Sequence, residues 1–423
     1  MPNLFQLVLQ VTVILVASRA VGFLFQKINQ PQVMGEMLAG ILLGPSLLGW
    51  VAPGVFATLF PASSLGFLSA LSQVGLVVFM FVVGLALNPS ELHGYGRAAV
   101  LTSHVSIVAP FCLGSVTALY LYPRLSDDAV TFTGFALFMG AAMSITAFPV
   151  LARILTERGL VHSRMGTLAI ACAAVDDVTG WCILAYIVVL IRVTHVGRPP
   201  WVTIAGSVLY VLVMLLGVRR VLPSFERSFR KHGQLSDNVM AVLVMLVLAS
   251  ALATEWLGIH LLFGAFLMGA IMPKSPEFAG YLLHKFESVV VVLLLPLFFA
   301  FTGLRTRIGV SGGHGIWLYS ALVIVVAITG KLGGSMFAAR LSSMPWRDAA
   351  ALGILMNTRG LMELVILNIG LDIGVISPAM FSIMVLMALV TTFMTTPLLE
   401  WVYPARLLRA EPVSTAAERV AVT

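Results

Sequence analysis

Two adjacent aspartates, Asp176 and Asp177, lie in the middle of a long apolar stretch of the chain. Neighbouring residues on an α-helix point about 100° apart, so one carboxylate can face the protein interior while the other faces a water-filled cavity. A carboxylate in such a position binds either a proton or a small hard cation, and the two ions compete for it. An acidic pair that only supports packing is the alternative, but one embedded lysine cannot neutralise two acids. The pair is therefore the first candidate for an ion-binding site.

Lys331 is that lysine, and it lies near the middle of another apolar stretch beside Gly330, Gly333 and Gly334. These small neighbours let a second helix backbone approach closely. We expect Lys331 to pair with Asp176 and to release it when a cation or a proton arrives. A lysine that extends to the membrane surface is the alternative, and the position of Lys331 near mid-stretch argues against it.

Polar interruptions break two of the apolar stretches. In one, Ser144 and Thr146 precede Pro149, which removes a backbone donor and disturbs the helix. Their hydroxyls can bond to the carbonyls that such a break frees. In the other, Asn357 and Thr358 interrupt an otherwise apolar helix. Paired interrupted helices in two inverted halves point to a transporter site near the middle of the membrane.

Other embedded charges support the site or the fold. Arg359 and Glu363 are four residues apart, so they can pair along one helix face, and a structural role is favoured for them. Glu36 either attracts cations at the mouth of a cavity or pairs with a basic residue. Ionised groups at mid-helix cost roughly 2.5–3.5 kcal/mol each on insertion scales, so these residues also belong among the candidates.

The elements that must position these residues are membrane helices. Of the 423 residues, 59% are hydrophobic and 10% are charged, whereas soluble domains carry roughly 25% charged residues. This composition excludes a cytosolic enzyme, a nucleic-acid-binding protein and a disordered chain, and no motif of a soluble active site is present. The apolar stretches are about 20 residues long, the length of a membrane helix. We therefore predict an all-α, multi-pass protein of the lipid bilayer that is no enzyme and needs no cofactor.

Turn signals divide the chain into thirteen predicted spans, arranged as two inverted halves of six that are joined by a linker helix. Within 235–273 the connection is very short, and a total of twelve spans is the alternative. The predicted spans cover residues 4–26, 32–49, 65–88, 96–122, 129–156, 162–193, 200–223, 235–254, 256–273, 286–305, 314–341, 347–371 and 376–404.

Basic residues in the connecting loops predict the orientation. With an outer N-terminus, seventeen lysines and arginines fall on the inner side and five on the outer side. Such an excess is typical of the cytoplasmic side. We therefore expect an outer N-terminus and a cytoplasmic C-terminus in the inner or plasma membrane of the cell. Residues 405–423 are expected to form a short, mobile cytoplasmic tail.

Five segments carry motifs of a known family. They are PQVMGEMLAGILLGPSLLG (31–49), SITAFPVLARIL (144–155), AAVDDVTGW (173–181), LPLFFAFTGLRT (295–306) and LMNTRGLMELVILNIG (355–370). In this order, and over nearly the whole membrane region, they resemble the cation:proton antiporter-2 family. The likeness is to plant CHX-type exchangers and to bacterial membrane domains of the Nha and Kef types.

The resemblance implies an Nha-type antiporter fold with two broken, crossing helices, assembled as a homodimer. Within a membrane transport domain at 1–404, the dimerisation part would cover about 1–90 and 235–305. The mobile core would cover about 96–193 and 314–404, and the linker helix would cover 200–223. Transport in such proteins follows elevator-type alternating access of the core.

The resemblance also implies roles for individual residues. Asp177 matches the essential carboxylate for cation and proton, and Asp176 matches the neighbouring acid or asparagine. Lys331 matches the lysine that pairs with this neighbour, and Thr146 matches the position at the first helix break. The two-acid form resembles the electrogenic branch of the family.

These observations predict a secondary active antiporter that exchanges Na⁺ or K⁺ for H⁺. Asp177 would bind the metal ion with help from Asp176, Thr146 and carbonyls at the breaks, and Ser144 is a further candidate. A cation channel or leak on the same scaffold is one alternative, and it would show no counter-flow of protons. A Na⁺-coupled symporter of organic solutes, which needs a larger polar cavity, is another, as is a sensor that transports nothing.

Overall fold

The computed structural model describes residues 4–87, 96–126, 130–160, 163–195, 200–308 and 315–403. Within these ranges the regular structure is helical and contains no strand. Three wider, π-type turns, at Val213–Val218, Val290–Leu294 and Thr329–Gly333, continue one helix into the next. The helices are α1 (Leu4–Lys27), α2 (Gln32–Leu43), α3 (Leu48–Val51), α4 (Pro53–Leu59), α5 (Ala62–Ala86), α6 (Gly96–Leu125), α7 (Phe132–Ser144), α8 (Phe148–Glu157), α9 (Arg164–His195), α10 (Pro200–Leu212), α11 (Arg219–Val221), α12 (Pro223–His232), α13 (Asp237–Trp256), α14 (Leu261–Ala270), α15 (Pro276–Val289), α16 (Leu295–Arg305), α17 (Gly315–Ile328), α18 (Gly334–Leu341), α19 (Trp346–Met356), α20 (Leu361–Asp372) and α21 (Pro378–Val402).

The helices have the length and composition of membrane spans. In the part of the chain that the structure covers, 11 helical stretches are long and apolar enough to cross a membrane, and the bent pair α19–α20 makes a twelfth. The prediction of an all-helical multi-pass membrane protein is confirmed. The count of thirteen is not confirmed, because the stretch predicted at 256–273 contains only the ten-residue helix α14. At 1.5 Å per residue, ten residues rise about 15 Å, half of a hydrocarbon core of roughly 30 Å.

Both predicted interruptions are present. Helix α7 ends at Ser144 and α8 begins at Phe148, with extended backbone at Ile145 and Ala147. Pro149 lies in the first turn of α8, where the missing N–H of proline needs no partner. Proline therefore begins the second half-helix and does not kink a continuous one. The second break separates α19 from α20, whose axes differ by 42°.

One compact unit of the chain consists of Met1–Phe23, Gly35–Leu92 and Trp181–Ser311. In its described part, α5 packs against α14, α15 and α16. A Cβ atom on Gly269 of α14 would lie 2.2 Å from the carbonyl oxygen of Phe81 in α5. Glycine is therefore required for this close contact between two helix backbones. A separate apolar cluster of this unit contains Ile14, Phe60, Leu68, Leu297 and Ala300.

The other compact unit consists of Leu24–Met34, His93–Gly180 and Gly312–Thr423, and it contains both helix breaks. Helix α6 packs against α7, α17 and α18, and α21 packs against α17, α19 and α20. This unit differs from the predicted core in two ways. It includes residues 24–34, and its middle segment stops at Gly180, within α9, whereas the predicted core continues to residue 193. The roles of dimerisation part and mobile core stay predictions. The predicted tail at 405–423 lies outside the described residues.

Candidate ion-binding site

Asp176 is fully buried, and both of its carboxylate oxygens accept hydrogen bonds. Oδ1 accepts from the Ser103 hydroxyl at 2.7 Å and from the Ser106 hydroxyl at 3.0 Å. Oδ2 accepts from Ser106 at 2.8 Å and from Thr146 at 2.9 Å. The ammonium nitrogen of Lys331 lies 2.7 Å from the same oxygen. The charge of Asp176 is thus compensated by one cation and three hydroxyl groups.

Lys331 is also fully buried, and it lies in the π-type turn between α17 and α18. Besides Asp176 it donates to the carbonyl of Ser106 at 3.0 Å and to the carbonyl of Ser144. Its three N–H groups therefore have three acceptors. A Cβ atom on Gly330 would lie 2.8 Å from the Cα atom of Pro110 in α6. This glycine lets the turn that carries the lysine approach α6 closely.

Asp177 has the opposite surroundings. Its side chain is 1% exposed, and neither carboxylate oxygen has a hydrogen-bond partner among the residues that the structure describes. A buried ionised carboxylate without partners is strongly unfavourable. This arrangement leaves the two oxygens of Asp177 available to a cation or a proton, while the oxygens of its neighbour are occupied.

The two helix breaks contact each other next to the aspartates. The Thr146 hydroxyl lies 3.0 Å from the carbonyl oxygen of Met356, and the N–H of Ala147 donates to the carbonyl of Thr358 at 3.0 Å. The Oδ1 atom of Asn357 and the Oγ1 atom of Thr358 are buried and have no partner within the described ranges. The second break therefore supplies buried oxygen atoms of the kind that alkali cations bind.

Arg359 and Glu363 form a buried ion pair with 2.9 Å between Nη1 and Oε2. The guanidinium group also donates to the carbonyl of Ala142 at 2.8 Å and to the carbonyl of Met143. These carbonyls lie in the last turn of α7, where a helix carries unpaired acceptors and a partial negative charge. Arg359 thus stabilises the end of the broken helix, a geometry that supports the structural role favoured for this pair.

Two of the candidate side chains make contacts of their own. Glu36 belongs to the other compact unit, where its Oε1 atom lies 3.4 Å from Nη1 of Arg19. The hydroxyl of Ser144 donates to the carbonyl of Ala141 in its own helix at 2.8 Å, because a serine near a helix end can reach the preceding turn. Ser144 therefore faces the ion pair with its carbonyl group and not with its hydroxyl.

The Thr146 hydroxyl, expected to help bind the cation, is bonded to the carboxylate of Asp176 and not to that of Asp177. Ser103 and Ser106, which contact Asp176, are not among the site residues predicted from the sequence. Their spacing was a usable signal, because residues three apart share a helix face. Together with Thr102 they form a polar cluster in an otherwise apolar stretch.

Comparisons with known proteins agree with this fold. A family model described as sodium/hydrogen exchanger, transmembrane, matches residues 11–401. The Na(+)/H(+) antiporter NhaS4 of Synechocystis sp. is 44% identical over 397 residues, which are 93% of this chain and 96% of that protein. Cation/H(+) antiporter 17 of Arabidopsis thaliana is 40% identical over 94% of this chain, and this match spans 48% of the plant protein. K(+)/H(+) antiporter 1 of Saccharomyces cerevisiae is 31% identical over 93% of this chain and 46% of its own length.

The solved structure of the sodium proton antiporter MjNhaP1 from Methanocaldococcus jannaschii has the same fold. It matches with a TM-score of 0.67 and 14% sequence identity, over 97% of this chain and all of that chain. At this identity the likeness shows the fold alone. The family model, which matches most of the chain, and the 44% identity to a full-length relative show the family. The chain belongs to the sodium/hydrogen exchanger family, whose members are transporters and not enzymes.

Proposed function

We propose that the protein exchanges a monovalent cation, Na⁺ or K⁺, for protons, and that Asp177 binds the two ions in turn. The observation that carries this proposal is the complete burial of Asp177 with both carboxylate oxygens unpartnered. Relatives named as Na⁺/H⁺ and K⁺/H⁺ antiporters support the reaction class.

In this scheme a dehydrated cation binds the oxygens of Asp177, and the unpartnered oxygens of Asn357 and Thr358 complete its surroundings. Small hard cations prefer such oxygen ligands. A proton on Asp177 removes its negative charge, so the cation leaves. Because the two ions need the same oxygens, they cannot occupy the site together, and their movements across the membrane are coupled.

The pair of Asp176 and Lys331 provides the place for a second proton. If two protons exchange for one cation, each cycle moves one net charge, and the exchange is electrogenic. The membrane potential then contributes about 2.3 kcal/mol per 100 mV. Elevator-type movement of the core, a homodimer and an outer N-terminus belong to the same proposal. The excess of basic residues on one side supports the orientation.

The test uses the purified protein in proteoliposomes that contain a trapped pH dye. Addition of Na⁺ or K⁺ should dissipate an imposed proton gradient, and Asp177→Asn should abolish this response, because a neutral amide takes up no proton and has lost the negative charge that attracts the cation. The matched control is Asp372→Asn, which changes an exposed carboxylate at the end of α20 and should leave exchange intact. Substantial exchange by Asp177→Asn would contradict the proposal.

A second version of the assay separates the stoichiometries. With the membrane potential clamped at different values, a 2:1 exchange changes its rate with potential, and a 1:1 exchange does not. Cation currents without any counter-flow of protons would instead indicate a channel. A folded sample that moves no protons in response to any alkali cation would exclude the antiporter.

A further inference from the structure

We propose that a polar cavity at the ends of α1 and α8 binds a phosphate group that still carries a proton, either as inorganic phosphate or as a phosphate monoester. The proposal goes beyond the exchange reaction and does not depend on it. The cavity has a volume of about 320 Å³ and is lined by Gln26, Asn29, Gln30 and Arg158, all of one compact unit. Pockets for small molecules begin at roughly 300 Å³, so the cavity can hold such a ligand.

The turn that follows α1 forms one wall of the cavity and is attached to α21. Asn29 has a left-handed backbone, with φ of 57°, and the N–H of Gln30 donates to the carbonyl of Phe25 at 2.9 Å. The side-chain amide of Gln30 donates to the carbonyl of Phe393 in α21 at 3.2 Å. The rings of Phe25 and Phe393 pack edge to face, with 6.3 Å between their centres. This wall therefore has a defined position against α21.

Two side chains that line the cavity have a buried atom without a hydrogen-bond partner in the described part of the chain. One atom is the acceptor Oε1 of Gln30, a residue that is 5% exposed. The other is the donor Nη2 of Arg158, whose Nη1 pairs with Glu400 in α21. A buried donor or acceptor that stays unpaired is unfavourable. The two atoms therefore favour a ligand that accepts one hydrogen bond and donates another.

A third such atom belongs to α21. The Oγ1 atom of Thr396 is buried and has no partner among the residues that the structure describes. Thr396 lies three residues after Phe393 and four before Glu400, so the three residues share one helix face. A hydroxyl that can donate and accept therefore lies along α21 between the contact with Gln30 and the contact with Arg158.

This combination of donors and acceptors determines the class of ligand. An arginine with an unpartnered N–H is a strong donor to phosphate oxygens. The oxygen of Gln30 needs a donor in return, and the P–OH group of a protonated phosphate supplies it. Because Glu400 neutralises much of the charge of Arg158, the match of hydrogen bonds should decide which anion binds. Sulfate carries no proton at neutral pH and therefore lacks the donor that Gln30 requires.

The test measures the binding of radiolabelled inorganic phosphate to the purified protein in detergent, at neutral pH and constant ionic strength. Binding should be saturable, and sulfate should compete roughly tenfold less well than unlabelled phosphate. Arg158→Gln and Gln30→Leu should each raise the Kd about tenfold, because each removes a hydrogen bond to the ligand. Thr396→Val should raise the Kd by a smaller factor.

Two variants are matched controls. Arg347→Gln removes an arginine that donates to the carbonyl of Val402, at the end of α21, at 2.6 Å. Thr395→Val removes a hydroxyl that donates to the carbonyl of Thr391 in its own helix at 3.0 Å. Both variants should bind phosphate with the Kd of the wild type.

Competition against the labelled phosphate distinguishes the sources of the phosphate group. Displacement by glycerol 3-phosphate would indicate a soluble monoester, and displacement by phosphatidic acid in nanodiscs would indicate a lipid headgroup. If neither displaces the label, inorganic phosphate itself is the ligand.

A folded wild-type protein that shows no saturable phosphate binding would overturn the proposal, as would equal competition by sulfate. Unchanged binding by folded Arg158→Gln and Gln30→Leu would also overturn it, because water would then fill the cavity. If these two variants do not fold, the isosteric Thr396→Val replaces them, and an unchanged Kd for Thr396→Val would have the same meaning.

Discussion

At the scale of residues, Asp176 and Asp177 show how surroundings separate two identical groups. One carboxylate accepts hydrogen bonds from three hydroxyls and pairs with a lysine, whereas the other has no partner within the described structure. Their positions in the chain differ by one residue, which on a helix is a rotation of about 100°. This rotation is sufficient to bring one side chain to the hydroxyls of α6 and to leave the other without a hydrogen bond to the described residues.

The ion pair of Asp176 and Lys331 should be strongly coupled energetically. Removal of one partner leaves a buried charge uncompensated, which costs about 3–5 kcal/mol in folding stability, whereas neutral replacement of both partners is much milder. We therefore expect Asp176→Asn and Lys331→Gln each to lower the midpoint of thermal unfolding more than the double variant does. A double-mutant cycle on the purified protein measures this coupling. If the losses of stability of the two single variants simply add in the double variant, the predicted coupling is contradicted.

The pairing of Asp176 with Lys331 could be predicted from the sequence, because only one lysine is embedded among apolar spans. The contacts of Ser103 and Ser106 could not, since they depend on which face of α6 meets α9. Serines are common in membrane helices and often bond within their own helix, as Ser144 does. Residue type alone does not distinguish a serine that bonds within its own helix from one that bonds to a neighbouring helix.

At the scale of elements, the helix breaks could be predicted and the number of spans could not. Pro149 and the polar pair Asn357-Thr358 disrupt helices through local chemistry, which a sequence shows directly. The length of α14 depends on where its connections begin. Because the stretch is apolar throughout, its composition does not show where the helix begins and ends. The prediction at 256–273 therefore overestimated a helix that has ten residues.

Lys274 joins the ends of two helices in the connection that follows α14. Its ammonium nitrogen donates to the carbonyls of Gly84 and Leu85 at the end of α5, each at 2.8 Å. It also donates to the carbonyl of Gly269 in the last turn of α14, at 2.9 Å. Helix C-termini carry unpaired carbonyls that favour a cation. Burial nevertheless lowers the pKa of Lys274 from 10.5 to about 7.

This pKa predicts a pH dependence of stability. Between about pH 7 and pH 10 the unfolded chain binds more protons at Lys274 than the folded protein does, so the contribution of this residue to stability rises with pH. As the pH rises through this range, the unfolding midpoint of the wild type should therefore increase relative to that of Lys274→Met. Lys285→Met, at an exposed lysine of α15, is the control. Parallel curves for Lys274→Met and wild type would contradict the prediction.

At the scale of the whole molecule, the distribution of charge predicts the orientation. We expect Lys231, at the end of α12, to lie on the cytoplasmic side, and Arg124, at the end of α6, to lie outside. In a variant without the three native cysteines, a membrane-impermeant maleimide added to intact cells should label Arg124→Cys and not Lys231→Cys. The opposite pattern would reverse the predicted orientation.

Family membership and the helical architecture follow from motifs that extend over most of the chain. The choice between Na⁺ and K⁺ does not follow from them, because selectivity depends on the number and positions of the coordinating oxygens. In the proposed site, Asn357 and Thr358 would supply such oxygens from the second break, and small changes in the backbone at this break would alter their spacing without changing any residue type.

The unpartnered state of Asp177 also has a consequence for the efficiency of energy conversion. An ionised carboxylate without a counter-charge is costly to carry through an apolar region, whereas the same group with a bound cation or proton is not. In the proposed cycle the empty, charged site should therefore cross the membrane rarely. Each such futile crossing would let one gradient run down without driving the other. In the proposed cycle, the missing partner of this single side chain would thus limit slippage and keep the two ion flows in a fixed ratio.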